Sequence, residues 1–376
     1  MWGAVFCVTI VLALINPDAR SVVVNYRNGS ELFLAGEQLY DIESAMGYLY
    51  SPAFAVLYVP FYELGPHLGD FLWRLLGFSV LTFAAVRQAQ VIDDEKPLWL
   101  LSCGLFLATP VAAGALRNGQ ATILLAGACW LLVLAALENA WLRTLLWTAV
   151  AIVAKPTAIV AMLLAGALRP RLIPVLVLAV AAVLILPYAF APSGYVTEIT
   201  RSFFSLMDVM SLDKTQGFRP ADFTAPFTAI GIMIPPPVAT AIRVVAALAT
   251  LAAAFHFARY GDRRTAALAI VVLASFYMCV FNPRVEGNTY AMLAVPFGLS
   301  ISLMYRRQGA TSLSVVLGAL LFVTGLSGVD IHLHRLTDLW MEPVMCTLVF
   351  LGIMRWFWKY GQATEVQSRS TASVYG

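Results

Sequence analysis

A dozen apolar runs, each near the length of a bilayer-crossing helix, follow one another along the chain, and no other feature constrains its fold as strongly. They occupy residues 2–16, 70–89, 97–116, 120–138, 141–154, 157–168, 172–190, 238–258, 265–281, 290–305, 311–327 and 339–358. A helix needs about 20 apolar residues to cross the hydrocarbon core, and somewhat fewer inside a polytopic bundle. The composition agrees, with 60% of the 376 residues hydrophobic and only 12% charged. An average soluble protein carries roughly 25% charged residues, so too little polar material remains here to coat a globule. A cytosolic enzyme, a disordered regulator and a nucleic-acid binder are excluded. The pattern predicts an all-α polytopic membrane bundle of about 12 transmembrane helices.

The formal net charge is +3, with no basic tail or acidic block to suggest a polyanionic partner. Cys7, Cys103, Cys129, Cys279 and Cys346 stand singly inside apolar runs. With no CxxC they read as small apolar filler rather than disulfide, zinc or haem ligands. His332 and His334, two apart on a loop, make a weak metal site. No cofactor is expected.

The first run lacks a basic n-region and an A-x-A site, so it reads as an uncleaved span. Residues 51–64 (SPAFAVLYVPFYEL) are apolar but short, contain Pro60, and are bounded by Pro52 and Gly65-Pro66. They read as an interfacial or re-entrant helix; counting them as a crossing would invert everything after them. With the amino terminus inside, 13 Lys/Arg fall on the cytoplasmic side against 11 opposite, the inner ones as bare pairs in tight loops (RPR, GDRR, YRR). Both termini are then cytoplasmic in the cell's inner membrane. A single domain covers residues 1–360, its long extracytoplasmic loops being 17–69 and 191–237. Residues 361–376 form a polar, disordered cytoplasmic tail, and residues 30–39 read as a short amphipathic helix lying on the bilayer.

The chemistry is expected among the outward polar residues, because charge at membrane depth is expensive unless paired or watered. Lys155 interrupts an apolar stretch, AVAIVAKPTAIVAM, directly before Pro156. It is either a lysine snorkelling at a helix end or a cavity lysine facing an anion. The turn FNPRVEGNTY concentrates Asn282, Arg284, Glu286, Asn288 and Tyr290 between two spans. A simple connection needs only a turn residue and a cap. Arginine's planar fork suits phosphate, and Glu286 suits a base or an orienting partner of Arg284. Arg117 and Gln120 flank another outward turn. The first outer loop adds Arg27, the acids Asp18, Glu31, Glu37, Asp41 and Glu43, and tyrosines at 26, 40, 48 and 50.

At these residues the chain resembles the multi-spanning glycosyltransferases of the GT-C superfamily, in particular glycosyltransferase family 87. The resemblance runs from about Tyr26 to Tyr290. It rests on Tyr26 with Gly36-x-x-Leu39-Tyr40, Tyr48-Leu49-Tyr50-Ser51-Pro52, Gly119-Gln120 opening a span, Lys155-Pro156, and FNPRVEGNTY. It implies a reaction on the extracytoplasmic face, juxtamembrane helices in the first loop, and a polyprenyl-phosphate-linked sugar, commonly mannose, as donor. Lys155 and Arg284 would then meet the donor phosphate. Family members usually carry an aspartate four residues before the tyrosine matching Tyr26; here that position is Val22. Either Asp18, Glu31 or Glu286 serves instead, or the chain is not an active transferase.

The expected chemistry is an inverting sugar transfer. A carboxylate takes the proton of an acceptor hydroxyl, while fixed cations stabilise the departing lipid phosphate. The residues assigned to donor and substrate are Lys155, Arg284, Arg117, Gln120, Asn288, Tyr290, Tyr26, Arg27 and Tyr50. The implied partners are membrane lipids, the lipid-linked sugar as co-substrate, and a lipid or glycan acceptor. Two rivals stand beside it: a lipid-linked-sugar flippase or transporter, and a non-catalytic subunit or assembly factor that kept the fold. A flippase predicts inverted repeats with broken helices near the midplane.

Overall fold

The structure, a computed structural model, describes residues 1–40, 47–211, 220–328, 337 and 339–361. Within them every regular element is helical. In chain order these are α1 (Trp2–Ile15), α2 (Val23–Ala35), α3 (Pro52–Glu63), α4 (Gly65–Ile92), α5 (Pro97–Asn118), α6 (Ala121–Leu137), α7 (Trp141–Ala154) and α8 (Ile159–Leu168). There follow α9 (Ile173–Ile185), α10 (Ser193–Ser211), α11 (Ala225–Ala229), α12 (Pro236–Tyr260), α13 (Arg263–Val280), α14 (Ala291–Gln308), α15 (Ser312–Thr324) and α16 (Met341–Gly361). All twelve apolar runs coincide with helices. Among the described residues five helical stretches, Gly65–Ile92, Pro97–Asn118, Pro170–Ala189, Pro236–Tyr260 and Met341–Tyr360, are long and apolar enough to cross a membrane, and six apolar helices of 10–17 residues stand among them. The chain is a helical membrane protein.

At the centre lie α6, buried from Ala121 to Ala136, and α14, buried from Ala291 to Met304. A helix that is apolar all round belongs inside such a bundle. α5 and α14 meet backbone to backbone: a Cβ on Gly298 would sit 2.2 Å from the Gly104 carbonyl oxygen, and one on Gly104 would sit 3.0 Å from the Leu299 nitrogen. Gly298→Ala is therefore expected to push the two helices apart and destabilise the fold by about 1–3 kcal/mol, as overpacking does. The check is thermal unfolding in nanodiscs beside Gly3→Ala, where an added Cβ meets nothing within 4 Å. Equal melting temperatures would refute the tight crossing.

Within residues 51–64, Pro52–Glu63 form α3, whose 12 residues rise only ~18 Å. It packs on α2, where Ser30 Oγ donates to the Ala55 carbonyl at 2.8 Å. The helix expected at 30–39 is displaced. It begins at Val23 and stops at Ala35, because Gly36 adopts a left-handed cap at φ +72°. Tyr26, Ser30 and Phe33 are buried, so its inner face rests on protein rather than lipid. α10, in the second long loop, was not foreseen as a helix. Val196, Ile199, Phe203 and Leu206 are buried along one face. Its Tyr195 hydroxyl donates to the Glu37 carbonyl at 2.8 Å, and burial pushes that phenol up to about 12. Residues 362–376 and Asp41, Glu43, Lys214, Arg219, His332, His334 and Arg335 lie outside the described residues.

The two ends of the bundle differ. At one, Asp93 meets Arg306 at 3.0 Å, Asp94 meets Arg264 at 2.8 Å, and Asp262 meets Arg307 at 3.3 Å. The backbone N–H of Lys96, helped by Arg306, holds the Asp93 carboxyl below the usual carboxylate range. At the other end converge α2, α3, the start of α4, and the turns after α5, α7 and α13.

Candidate active site

The floor of this second end is the turn joining α5 to α6. Gly119 closes α5 at φ +69°, and a Cβ there would lie 2.3 Å from Val23 Cγ2, so both backbone and space demand glycine. Trp73 Nε1 donates to the Gly119 carbonyl at 2.9 Å. Arg74 Nη2 donates to the Arg117 carbonyl at 3.1 Å and to Ser21 Oγ at 3.0 Å. The Val22 N–H donates to Asn118 Oδ1 at 2.6 Å. Held this way, Gln120 caps α6, and its Nε2 donates to Glu286 Oε2 at 3.4 Å.

The first loop is joined to the same turn through Tyr26. Its hydroxyl accepts the Ala121 N–H at 3.0 Å and meets the Tyr50 hydroxyl at 2.9 Å. The ring is enclosed by Tyr50, Phe54, Tyr58 and Trp73. Burial pushes both phenols far up, so each keeps its proton at neutral pH. Glu286 lies within electrostatic reach of both.

Lys155 follows the last residue of α7 in extended backbone at φ −164°, as the position before Pro156 requires. Burial pulls its ammonium below the usual lysine range; the nearby charge of Glu286 works against that shift and the charge of Arg284 adds to it. The turn carrying those two is internally braced. Asn282 Oδ1 accepts the Arg284 N–H at 3.1 Å, and Thr289 Oγ1 accepts the Glu286 N–H at 3.3 Å. Glu286 is an exposed residue, and its carboxylate also accepts the Thr289 backbone N–H. An exposed carboxylate beside two cations and an amide can accept a proton while the cations take up an anion.

Six of the residues chosen from sequence thus gather here: Tyr26, Tyr50, Gln120, Lys155, Arg284 and Glu286. Others have different surroundings. The Tyr290 hydroxyl is buried and donates to the Ala221 carbonyl at 2.7 Å, which makes it a brace for the turn. Asn288 turns its amide towards Gly114 of α5. Arg117 is half-buried and contributes its carbonyl to Arg74. Glu31 is exposed on α2. Asp18 is ion-paired with Arg27, which in turn approaches Asp70 at 3.8 Å.

Asp70 is the residue that sequence inspection passed over. It is 2% exposed in the first turns of α4, accepts from Tyr58 at 3.0 Å, and lies 3.9 Å from Arg74. The available signal was a carboxylate and an arginine four residues apart at the start of an apolar run, which is i,i+4 spacing on one helix face.

A helical membrane bundle with cations, an amide and a carboxylate gathered at one end has the makings of a group-transfer enzyme working beside the bilayer. The model for glycosyltransferase family 87 matches residues 48–283, more than half of the chain. The chain belongs to glycosyltransferase family 87 and is a glycosyltransferase. The matched stretch includes Tyr50, Gln120 and Lys155 and ends just before Arg284 and Glu286. No curated protein and no solved structure matched the chain.

Proposed function

We propose that this enzyme moves a sugar, mannose by family resemblance, from a polyprenyl-phosphate donor to a hydroxyl of a lipid or glycan acceptor, with inversion. The bundle crosses the inner membrane twelve times with both termini cytoplasmic, which puts the site on the extracytoplasmic face. Lys155 and Arg284 hold the donor phosphate, and Glu286 takes the acceptor proton as the hydroxyl oxygen attacks the anomeric carbon. The bond to the phosphate oxygen breaks, and the cations stabilise the charge that develops there more than they stabilise the bound donor. Gln120 keeps Glu286 oriented. The observation that carries this reading is the shared position of Lys155, Arg284 and Glu286 at one mouth of an apolar bundle.

The test is binding of polyprenyl phosphate, the product of donor cleavage, to the full chain in nanodiscs by native mass spectrometry. Lys155→Met removes one charge-assisted hydrogen bond of about 1.5–3 kcal/mol, so binding is expected to weaken roughly 10- to 100-fold. Unchanged binding would take the phosphate away from Lys155. Lipid profiling of a deletion strain supplies the second measurement: an accumulated polyprenyl-phosphate sugar or an under-glycosylated product is expected.

A further inference from the structure

From the end of the second long loop into α12 runs a stretch with no charged residue, Phe223 to Ile242. Residues 227–233 are all exposed, with Ile230 at 72% and Met233 at 77%, and Phe227 and Ile232 beside them. The chain there is ordered by its own backbone. Gly231 turns at φ +82°, and the Ile232 N–H donates to the Phe227 carbonyl at 2.9 Å. Four large apolar side chains held outward by a fixed turn are a surface awaiting an apolar medium.

Two observations name that medium. The turn runs straight into α12, whose apolar window is only 11% buried, against 33–44% for the other four candidate spans. The apolar surface is therefore continuous with the flank of the bundle least covered by protein. Depth agrees, since the 25 residues of α12 rise ~37 Å, more than the ~30 Å hydrocarbon core. Its first residues thus stand at headgroup level, where an apolar turn meets the acyl boundary.

The same stretch is fastened to the active-site turn. Ala221 N–H donates to the Val285 carbonyl at 2.8 Å, Phe223 N–H to the Val280 carbonyl at 2.9 Å, and Tyr290 to the Ala221 carbonyl. Asp222 pairs with Arg243 of α12 at 2.7 Å. We propose that residues 227–233 dip into the leaflet on the site's side, and that lipid acyl chains there anchor the turn bearing Arg284 and Glu286. The inference rests on α12 crossing the bilayer.

The experiment is depth measurement by nitroxide labelling of the full chain in liposomes, with the unburied Cys7 and Cys103 replaced by alanine. A label at Met233→Cys is expected to collide more with oxygen than with a water-soluble nickel complex, placing it just inside the acyl boundary. A label at Leu248→Cys, near the middle of α12, is expected to lie deeper still. If the Leu248 label favours nickel, the membrane reading of α12 fails. If it lies deep while the Met233 label favours nickel, the anchor alone fails. A Met233 label closed to both reagents means a protein covers the turn, and dipolar broadening between labels means a second copy does; either overturns the lipid assignment. The Ile230→Glu/Met233→Glu chain should move the turn's label at Phe227→Cys out to water and weaken polyprenyl-phosphate binding. Unchanged binding with the label displaced would remove the link to the site.

Discussion

Glu286→Gln is expected to slow sugar transfer by about 10²–10⁴-fold, the usual worth of a positioned general base, while polyprenyl-phosphate binding holds. The substitution is nearly isosteric. The amide oxygen of the new side chain can still accept from Gln120, so the geometry of the turn stays and proton acceptance is lost. Lys155 loses the carboxylate that favours its ammonium but keeps its place at the end of α7. Initial rates under saturating donor, set beside binding in nanodiscs, separate chemistry from affinity. Retained turnover would remove Glu286 from the role and send the search to Asp18 and Glu31. Asp18 would first have to release Arg27, and Glu31 would need α2 to turn its exposed face inward.

Arg74→Met should be the most damaging single change to the fold, lowering stability by about 3–5 kcal/mol, the range for breaking a buried ion pair. Arg74 is 4% exposed and faces an aspartate that is 2% exposed. Its removal leaves that carboxylate with only Tyr58 and Arg27 for partners, and its Oδ2 already lacks a hydrogen bond. It also leaves the Arg117 carbonyl and the Ser21 hydroxyl without their donor. Thermal unfolding in nanodiscs measures the loss. The double variant Asp70→Asn/Arg74→Met removes both charges together and should lose less than the two single changes added. Simple additivity would show that the two side chains do not act as a pair. Because Arg74 holds the turn that presents Gln120, the single variant should also loosen the Gln120–Glu286 contact.

Hydropathy made the helices legible because every long apolar run must satisfy its backbone internally when no water is at hand. The gathering of Lys155, Arg284 and Glu286 was legible for a related reason, since charges at the ends of apolar runs stand out against their surroundings. Asp70 was hidden by the same averaging: one carboxylate at the edge of a long apolar run leaves the run apolar, and only its i,i+4 spacing from Arg74 betrays the pair. α10 was missed because its apolar positions are diluted by serine, threonine and charge, and only their spacing betrays a buried face. The limits of α2 depended on one glycine taking a left-handed cap at residue 36. A string of residue types shows that such a glycine is permitted to turn, and the packing of Tyr26 and Phe33 decides that it does.

The acidic corner at 93–95, clasped by arginines from two other connections, stands largely in water, with the side chains of Asp94, Glu95 and Arg264 64%, 82% and 56% exposed. Pairs of this kind are screened by salt and contribute ~0–1 kcal/mol each. That end of the molecule is therefore held by its packed helices, and its charges serve to keep the connections soluble at the bilayer's edge.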